Sequence, residues 1–298
     1  MTTMRKRFYE VATRALDDDP RTALVLAEIG VSELPRHERV FNVGIREQLM
    51  IGVAAGLAFE GLRPVVHSYA PFVVERPYEQ IKLDLGHQDV GAVLVSTGAS
   101  YDGAPSGRTH QAPGDVALLS ALPGWTIHVP GHPDELETAF LGALVGEDRV
   151  YIRMSEEANA APVRAEGLTV LRRGSLGAPV VVAVGPTLDE TLAATADVDA
   201  TVAYLTTVRP FDAEGLRALV ADGGDVVLVE PYLAGTSAAE VAAALSDRPH
   251  RLLSLGVANV ELRRYGRGSD HRAAHGLDAA DIRTLFTGFL DKGGVAAV

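Results

Sequence analysis

Three stretches of the chain carry side chains whose type and setting suit chemistry. The first is Phe41-Asn42-Val43-Gly44-Ile45-Arg46-Glu47-Gln48, which runs into a helical stretch with no further charge until Glu60. A helix apolar on every side is expected to be buried. Steps of three and four residues from Glu47 meet only Met50, Ile51, Ala54 and Ala58. Unpaired burial of a carboxylate is costly, so Glu47 must be matched. It acts on a bound group, or it satisfies first-turn amides or a nearby arginine such as Arg46. The second stretch is the glycine-rich segment 97–111, which ends in Gly107-Arg108-Thr109-His110-Gln111. His110 is its one side chain that titrates near neutrality in an ordinary environment. The glycine spacing meets neither the dinucleotide fingerprint nor the Walker loop, and a mobile surface loop is the plainer alternative. The third holds Tyr69, Phe72 and Tyr78, a dense set in a chain only 6% aromatic. These three form either a stacking wall for a flat ring or ordinary core. His128 and His132 share a metal-like spacing, but Pro130 and Pro133 argue against one helix carrying both, so they read as loop histidines.

The elements that must position these residues form an alternating pattern. Short apolar, β-branched runs at 21–27, 63–69, 91–96, 179–184, 201–205, 225–229 and 251–255 read as strands. Runs of this kind, separated by small-residue helical stretches, indicate parallel strands covered on both faces. The fold class is α/β. Thr187-Leu188-Asp189-Glu190 and Ser237-Ala238-Ala239-Glu240 fit capping boxes, and Pro133-Asp134 fits a first helical turn. Segment 97–111 follows a strand, and ligands of open α/β sheets sit beyond the carboxyl ends of strands. Periodicity lapses over 156–177, which divides the chain into domains at 1–160 and 175–298. Residues 293–298 are expected to fray.

At 298 residues the chain has length for two cores, and 47% hydrophobic with 22% charged residues is ordinary globular composition. The net charge of −12, with no basic stretch, excludes ordinary nucleic-acid binding. No apolar run reaches the length of a bilayer span, and no signal-peptide core follows the basic start, so a cytoplasmic location is expected. The absence of cysteine removes disulfides, thiolate metal sites and thiol nucleophiles.

In this order, the Glu47 stretch, Gly52-Val53-Ala54-Ala55-Gly56-Leu57-Ala58, segment 69–80, Gly107-Arg108-Thr109-His110-Gln111 and His275-Gly276-Leu277-Asp278-Ala279-Ala280-Asp281-Ile282 together resemble transketolase and the related 1-deoxyxylulose-5-phosphate synthases. The resemblance covers the pyrimidine-binding and C-terminal domains and implies a mostly parallel sheet covered by helices in each. It implies thiamine diphosphate as cofactor. Glu47 takes the place of the glutamate that hydrogen-bonds the aminopyrimidine and promotes the imino tautomer that deprotonates the thiazolium. Burial strengthens such a bond. Phe72 would pack on the pyrimidine, with Tyr69, Tyr78 and Arg76 as looser cofactor-pocket matches. His110 would face the substrate hydroxyls and Arg153 would meet the sugar phosphate, and Arg108, new relative to the family loop, is a further substrate-side candidate.

In that family a Gly-Asp-Gly motif on a separate domain holds the diphosphate and Mg2+, and this chain has no such motif and no room for that domain before Met1. The resemblance therefore implies half of a split transketolase, needing an N-terminal-half partner subunit that carries most of the Mg2+ site, with two copies of each. Gly98-Ala99 and Ala104-Pro105-Ser106-Gly107-Arg108 stand where the family commonly has His-Asp and Gly-Glu-Asp-Gly-Pro, so the sugar or sugar phosphate substrate is not fixed. The expected activity is transfer of a two-carbon ketol unit from a ketose donor to an aldehyde acceptor. The alternatives are the beta subunit of a 2-oxo acid dehydrogenase or decarboxylase, and a non-catalytic scaffolding subunit.

Overall fold

The computed structural model describes residues 2–292; the tail at 293–298 lies outside them. The first part of the chain runs α1 (Met4–Asp18), β1 (Thr22–Leu26), β2 (Val40–Asn42), α2 (Glu47–Phe59) and β3 (Arg63–Tyr69). A π-wound turn (Pro71–Glu75), α3 (Tyr78–Gln80) and a second π-wound turn (Ile81–His87) lead into β4 (Val93–Thr97). Two 3-10 turns (Ala104–Ser106 and Arg108–His110) precede α4 (Asp115–Ser120), β5 (Trp125–His128), α5 (Pro133–Val145) and β6 (Arg149–Arg153). The second part runs β7 (Thr169–Arg172), β8 (Val180–Val184), α6 (Leu188–Ala194), β9 (Thr201–Leu205), β10 (Thr207–Arg209) and α7 (Ala213–Leu219). It closes with β11 (Gly224–Leu233), α8 (Ala238–Ala244), β12 (His250–Val257), α9 (Gly268–Ala274) and α10 (Ala279–Asp291).

The strands form a seven-stranded sheet, β10-β5-β6-β4-β3-β1-β2, and a five-stranded sheet, β12-β11-β8-β9-β7. Every pairing is parallel except β10 with β5 and β7 with β9. The two exceptions are edge strands, where antiparallel additions to parallel sheets occur. Although β10 follows β9 in the chain, it completes the first sheet, with Thr207 opposite His128 and Arg209 opposite Ile127. One apolar cluster runs through both parts, from Val25, Met50 and Val73 to Val182, Leu205 and Tyr232. A second, under α1 and α5, covers the other face of the first sheet. The two sheets therefore share a core.

All seven expected strands are present, because strands buried on both faces read as unbroken apolar runs. Several details differ from expectation. His128 belongs to β5, where its Nδ1 lies 3.0 Å from Thr207 Oγ1 and burial pulls its pKa down to about 4. His132 caps α5, its Nδ1 accepting from the Asp134 amide at 3.1 Å. Neither expected capping box forms. Thr187 turns inward to donate to the Val184 and Val229 carbonyls, and the Ser237 hydroxyl meets Arg209 Nη1 at 3.2 Å. Most consequentially, α2 is not covered all round. Met50, Ile51 and Ala54 are sealed, but Leu49 and Phe59 are 48% and 60% exposed, with Ile45 just before the helix at 73%. Among the described residues no helix is long and apolar enough to cross a membrane.

Candidate active site

Three connections, all leaving carboxyl ends of strands in the first sheet, build one cluster. The chain leaves β2 through Gly44, whose φ of +69° turns it sharply into α2, so that Glu47 is the first helical residue. The Glu47 side chain is buried, and its Oε1 accepts from Arg76 Nη1 at 2.7 Å. Among the described residues Oε2 has no hydrogen-bond partner, leaving one carboxylate oxygen free. Arg76 follows the π-wound turn after β3, and its guanidinium lies 3.8 Å from the Phe72 ring centroid. Gln48 Nε2 donates to the Arg76 carbonyl at 3.2 Å, so α2 holds both ends of that residue. Wide turns of this kind are frequent at functional sites because they re-aim side chains.

The loop after β4 supplies the other wall. Its neck closes through a bridge between Ser100 and Ala112, and its tip is the 3-10 turn that carries His110. The His110 ring lies 5.0 Å from Phe72 and 5.3 Å from Tyr69, both edge-on, and its Nδ1 is 3.0 Å from Thr109 Oγ1. Tyr69 and Phe72 are 5.9 Å apart. The structure thus joins Glu47, Arg76, Phe72, Tyr69 and His110 in one contiguous set. Arg5, on α1, adds its guanidinium 5.7 Å from the Tyr69 ring. Nothing in the spacing of the sequence links α1 to this site.

Three expected site residues stand elsewhere or are engaged. The Tyr78 hydroxyl donates to the Leu118 carbonyl at 3.0 Å, so Tyr78 ties its helix to α4 instead of lining the ring cluster. Arg108 is exposed at the loop tip but paired: its Nε meets Glu261 Oε2 at 3.1 Å and its Nη1 donates to the Gln111 carbonyl at 2.7 Å. Arg153, at the end of β6, is 1% exposed. Its Nε donates to Asp115 Oδ2 at 2.8 Å and its Nη2 to Ser100 Oγ at 2.6 Å. Tyr151 adds a 2.7 Å bond to the same Asp115 oxygen. Burial pulls Arg153 down, but the Asp115 charge and hydrogen bond leave its pKa above the ordinary value. A guanidinium so enclosed does not fit the expected contact with a sugar phosphate. Nothing in the sequence marks Asp115 as its partner, since an acidic residue in a first helical turn needs no other explanation. Next to this pair, burial pushes the Asp102 carboxyl up to about 7, against the bond it accepts from the Glu156 amide at 2.8 Å.

Chemically, the cluster offers a buried carboxylate with one oxygen free, an aromatic ring beside it, and an imidazole beyond that ring. The carboxylate can accept a hydrogen bond from a heterocycle, the ring can pack on that heterocycle's face, and the imidazole can move a proton near its edge. Two consecutive α/β units of mostly parallel sheet match the pyrimidine-binding and C-terminal domains of transketolases. The model of the transketolase pyrimidine-binding domain matches residues 3–160, and that of the transketolase C-terminal domain matches residues 178–282. The chain belongs to the transketolase family.

Its relatives include proteins of its own length. A 33.6 kDa protein of the fasciation locus of Rhodococcoides fascians is 50% identical over 97% of this chain and 95% of that protein. One subunit of the apulose-4-phosphate transketolase of Actinobacillus succinogenes is 30% identical over 86% of this chain and 85% of that subunit. Among solved structures, a split-gene transketolase described as an inactive beta4 tetramer superposes with a TM-score of 0.80 at 25% identity, over 96% of this chain and 98% of that one.

Proposed function

We propose that the chain is one subunit of a two-component, thiamine-diphosphate-dependent transketolase that transfers a two-carbon ketol unit from a ketose to an aldehyde. The observation that carries this is the joining of Glu47, Phe72 and His110 in one cluster, with Glu47 Oε2 left without a hydrogen-bond partner among the described residues. The residues fit the pyrimidine end of the cofactor: Glu47 would accept its hydrogen bond and Phe72 would pack on its ring. When bound, the cofactor supplies the carbanion chemistry that breaks and makes carbon–carbon bonds. Glu47 is buried, and burial strengthens such a bond. Arg76 fixes the other carboxylate oxygen, and His110 gives and takes protons at substrate hydroxyls.

In this reading residues 1–160 form the pyrimidine-binding domain and 175–298 the C-terminal domain, to whose sheet β7, before that boundary, adds an edge strand, while β10 reaches back into the first sheet. The diphosphate and Mg2+ fall to an N-terminal-half partner subunit, in a complex with two copies of each. The bare Ile45 and Leu49 beside Glu47, with Phe59 at the far end of α2, give that partner an apolar surface to cover. The Actinobacillus relative, itself one subunit of a transketolase, supports the same division. Substrates are small sugars or sugar phosphates. Of the two arginines expected on the substrate side, Arg153 is enclosed, and Arg108 would meet a phosphate by leaving Glu261.

Calorimetric titration of thiamine diphosphate with Mg2+ tests the division. Binding is expected only when chain and partner are mixed. Tight binding to this chain alone would overturn the split site, and no binding to the mixture would overturn the cofactor assignment. His110→Ala is expected to lower kcat by roughly 10² to 10⁴ while the cofactor still binds. An unchanged rate in a ketose-to-aldehyde assay would remove His110 from the mechanism.

A further inference from the structure

We propose that the C-terminal domain clamps the His110 loop, and that Glu261 and Tyr265, on the segment between β12 and α9, are positioning residues for His110. The proposal rests on the functional reading above for the role of His110, but the clamp itself stands on contacts within this chain.

The loop is gripped at its neck and at its tip. At the neck, Ser100 Oγ donates to the Pro231 carbonyl at 2.6 Å, and the Leu233 amide donates to the Pro113 carbonyl at 2.7 Å. Both partners belong to β11, so the ends of the loop are tied to the second sheet. At the tip, Glu261 holds Arg108, and the Tyr265 ring lies against Gly107. A Cβ at Gly107 would stand 2.7 Å from Tyr265 Cε1, and the φ of +79° there is itself a glycine conformation. Glycine is therefore the one residue type that admits the ring at this distance.

These contacts reach His110 directly. Its amide donates to the Gly107 carbonyl at 3.0 Å, and the Gln111 amide donates to the Arg108 carbonyl at 3.2 Å. Gly107 and Arg108, the two residues touched by the second domain, are thus the first residues of the turn that presents the imidazole. The clamping segment has a fixed base. The carbonyl of Tyr265 lies 3.2 Å from Nε2 of the buried His271. Arg264 Nη2 donates to the Asp270 carbonyl at 2.7 Å, and the Arg267 amide to Asp270 Oδ2 at 2.9 Å. Both bonds secure the segment to the first turn of α9. The Arg108–Glu261 pair is exposed and so is most of the Tyr265 ring, so each contributes little alone and the tip is held by the two together. The Tyr265 hydroxyl has no hydrogen bond among the described residues, so phenylalanine should serve equally.

Millisecond hydrogen exchange on the full chain tests the clamp without substrate or partner. Tyr265→Ala combined with Glu261→Gln is expected to speed exchange of the His110 and Gln111 amides roughly tenfold, with β4 and α2 unchanged. Tyr265→Phe should exchange as the parent does. In the assembled enzyme the double variant should lose kcat with the cofactor affinity retained, and Tyr265→Phe should keep full kcat. Unchanged loop exchange in the double variant would overturn the clamp, as would a Tyr265→Phe loop as loose as that of the double variant. Faster exchange with unchanged kcat would overturn the positioning role. A parent complex with no ketol transfer at all would sink the functional reading, and the exchange result would still decide the clamp.

Discussion

Glu47→Gln is expected to cut turnover of the assembled enzyme on the order of a thousandfold while leaving the fold and partner binding intact. The substitution keeps the shape of the side chain and an acceptor for Arg76 Nη1, so the local geometry survives. Arg76 does not depend on the carboxylate for its place. Its side chain is 41% exposed, and it stacks on Phe72 with its carbonyl held by Gln48. What the amide removes is charge at Oε2, the oxygen free for the heterocycle. A site whose purpose was only to anchor Arg76 would lose little, because the amide oxygen still accepts from Arg76 and the guanidinium left without its counter-charge is 41% exposed to water. Thermal denaturation beside a ketose assay therefore separates the two roles. A large loss of stability, or an unaltered rate, would sink the catalytic assignment of Glu47.

The α/β architecture was legible because its central strands have no polar face. The five strands not expected fail that test in different ways. β5 alternates buried and half-buried residues, β6 is bracketed by arginines, and β2, β7 and β10 are short sheet-edge strands. For the site, composition singled out Glu47 as a carboxylate heading an apolar helix, but nothing in its spacing could bring it to His110. That step came from the family pattern. Arg76, only a loose match in that pattern, turns out to hold Glu47 directly. The expectation of a fully buried α2 missed for a physical reason: an apolar helix must be covered, and sequence does not say whether the cover lies in the same chain. The uncovered side, bearing Leu49 and Phe59, follows Glu47 along the same helix. On the function proposed above, the helix that supplies the acid also supplies surface for the partner, which couples assembly to activity.

Asp115→Ala is expected to destabilise the chain by about 3–5 kcal/mol, out of the roughly 5–15 kcal/mol that ordinary domains possess. Removal of Asp115 leaves the Arg153 guanidinium charged and enclosed, while the Tyr151 hydroxyl falls back on Ser96 Oγ at 2.7 Å. Exchange of both members for apolar residues, as in Asp115→Leu with Arg153→Met, should cost markedly less than Asp115→Ala alone, since no buried charge is stranded. Denaturant midpoints of the two variants make this comparison directly. The single variant Arg153→Met, read for stability and for KM, decides what Arg153 is for. Through Ser100 it is bonded to the neck of the His110 loop, which β11 also grips, so its loss should loosen the site by way of the fold. If Arg153→Met instead left stability untouched and raised KM only for phosphorylated substrates, Arg153 would be a phosphate ligand. Its pair with Asp115 would then have to open to admit the substrate.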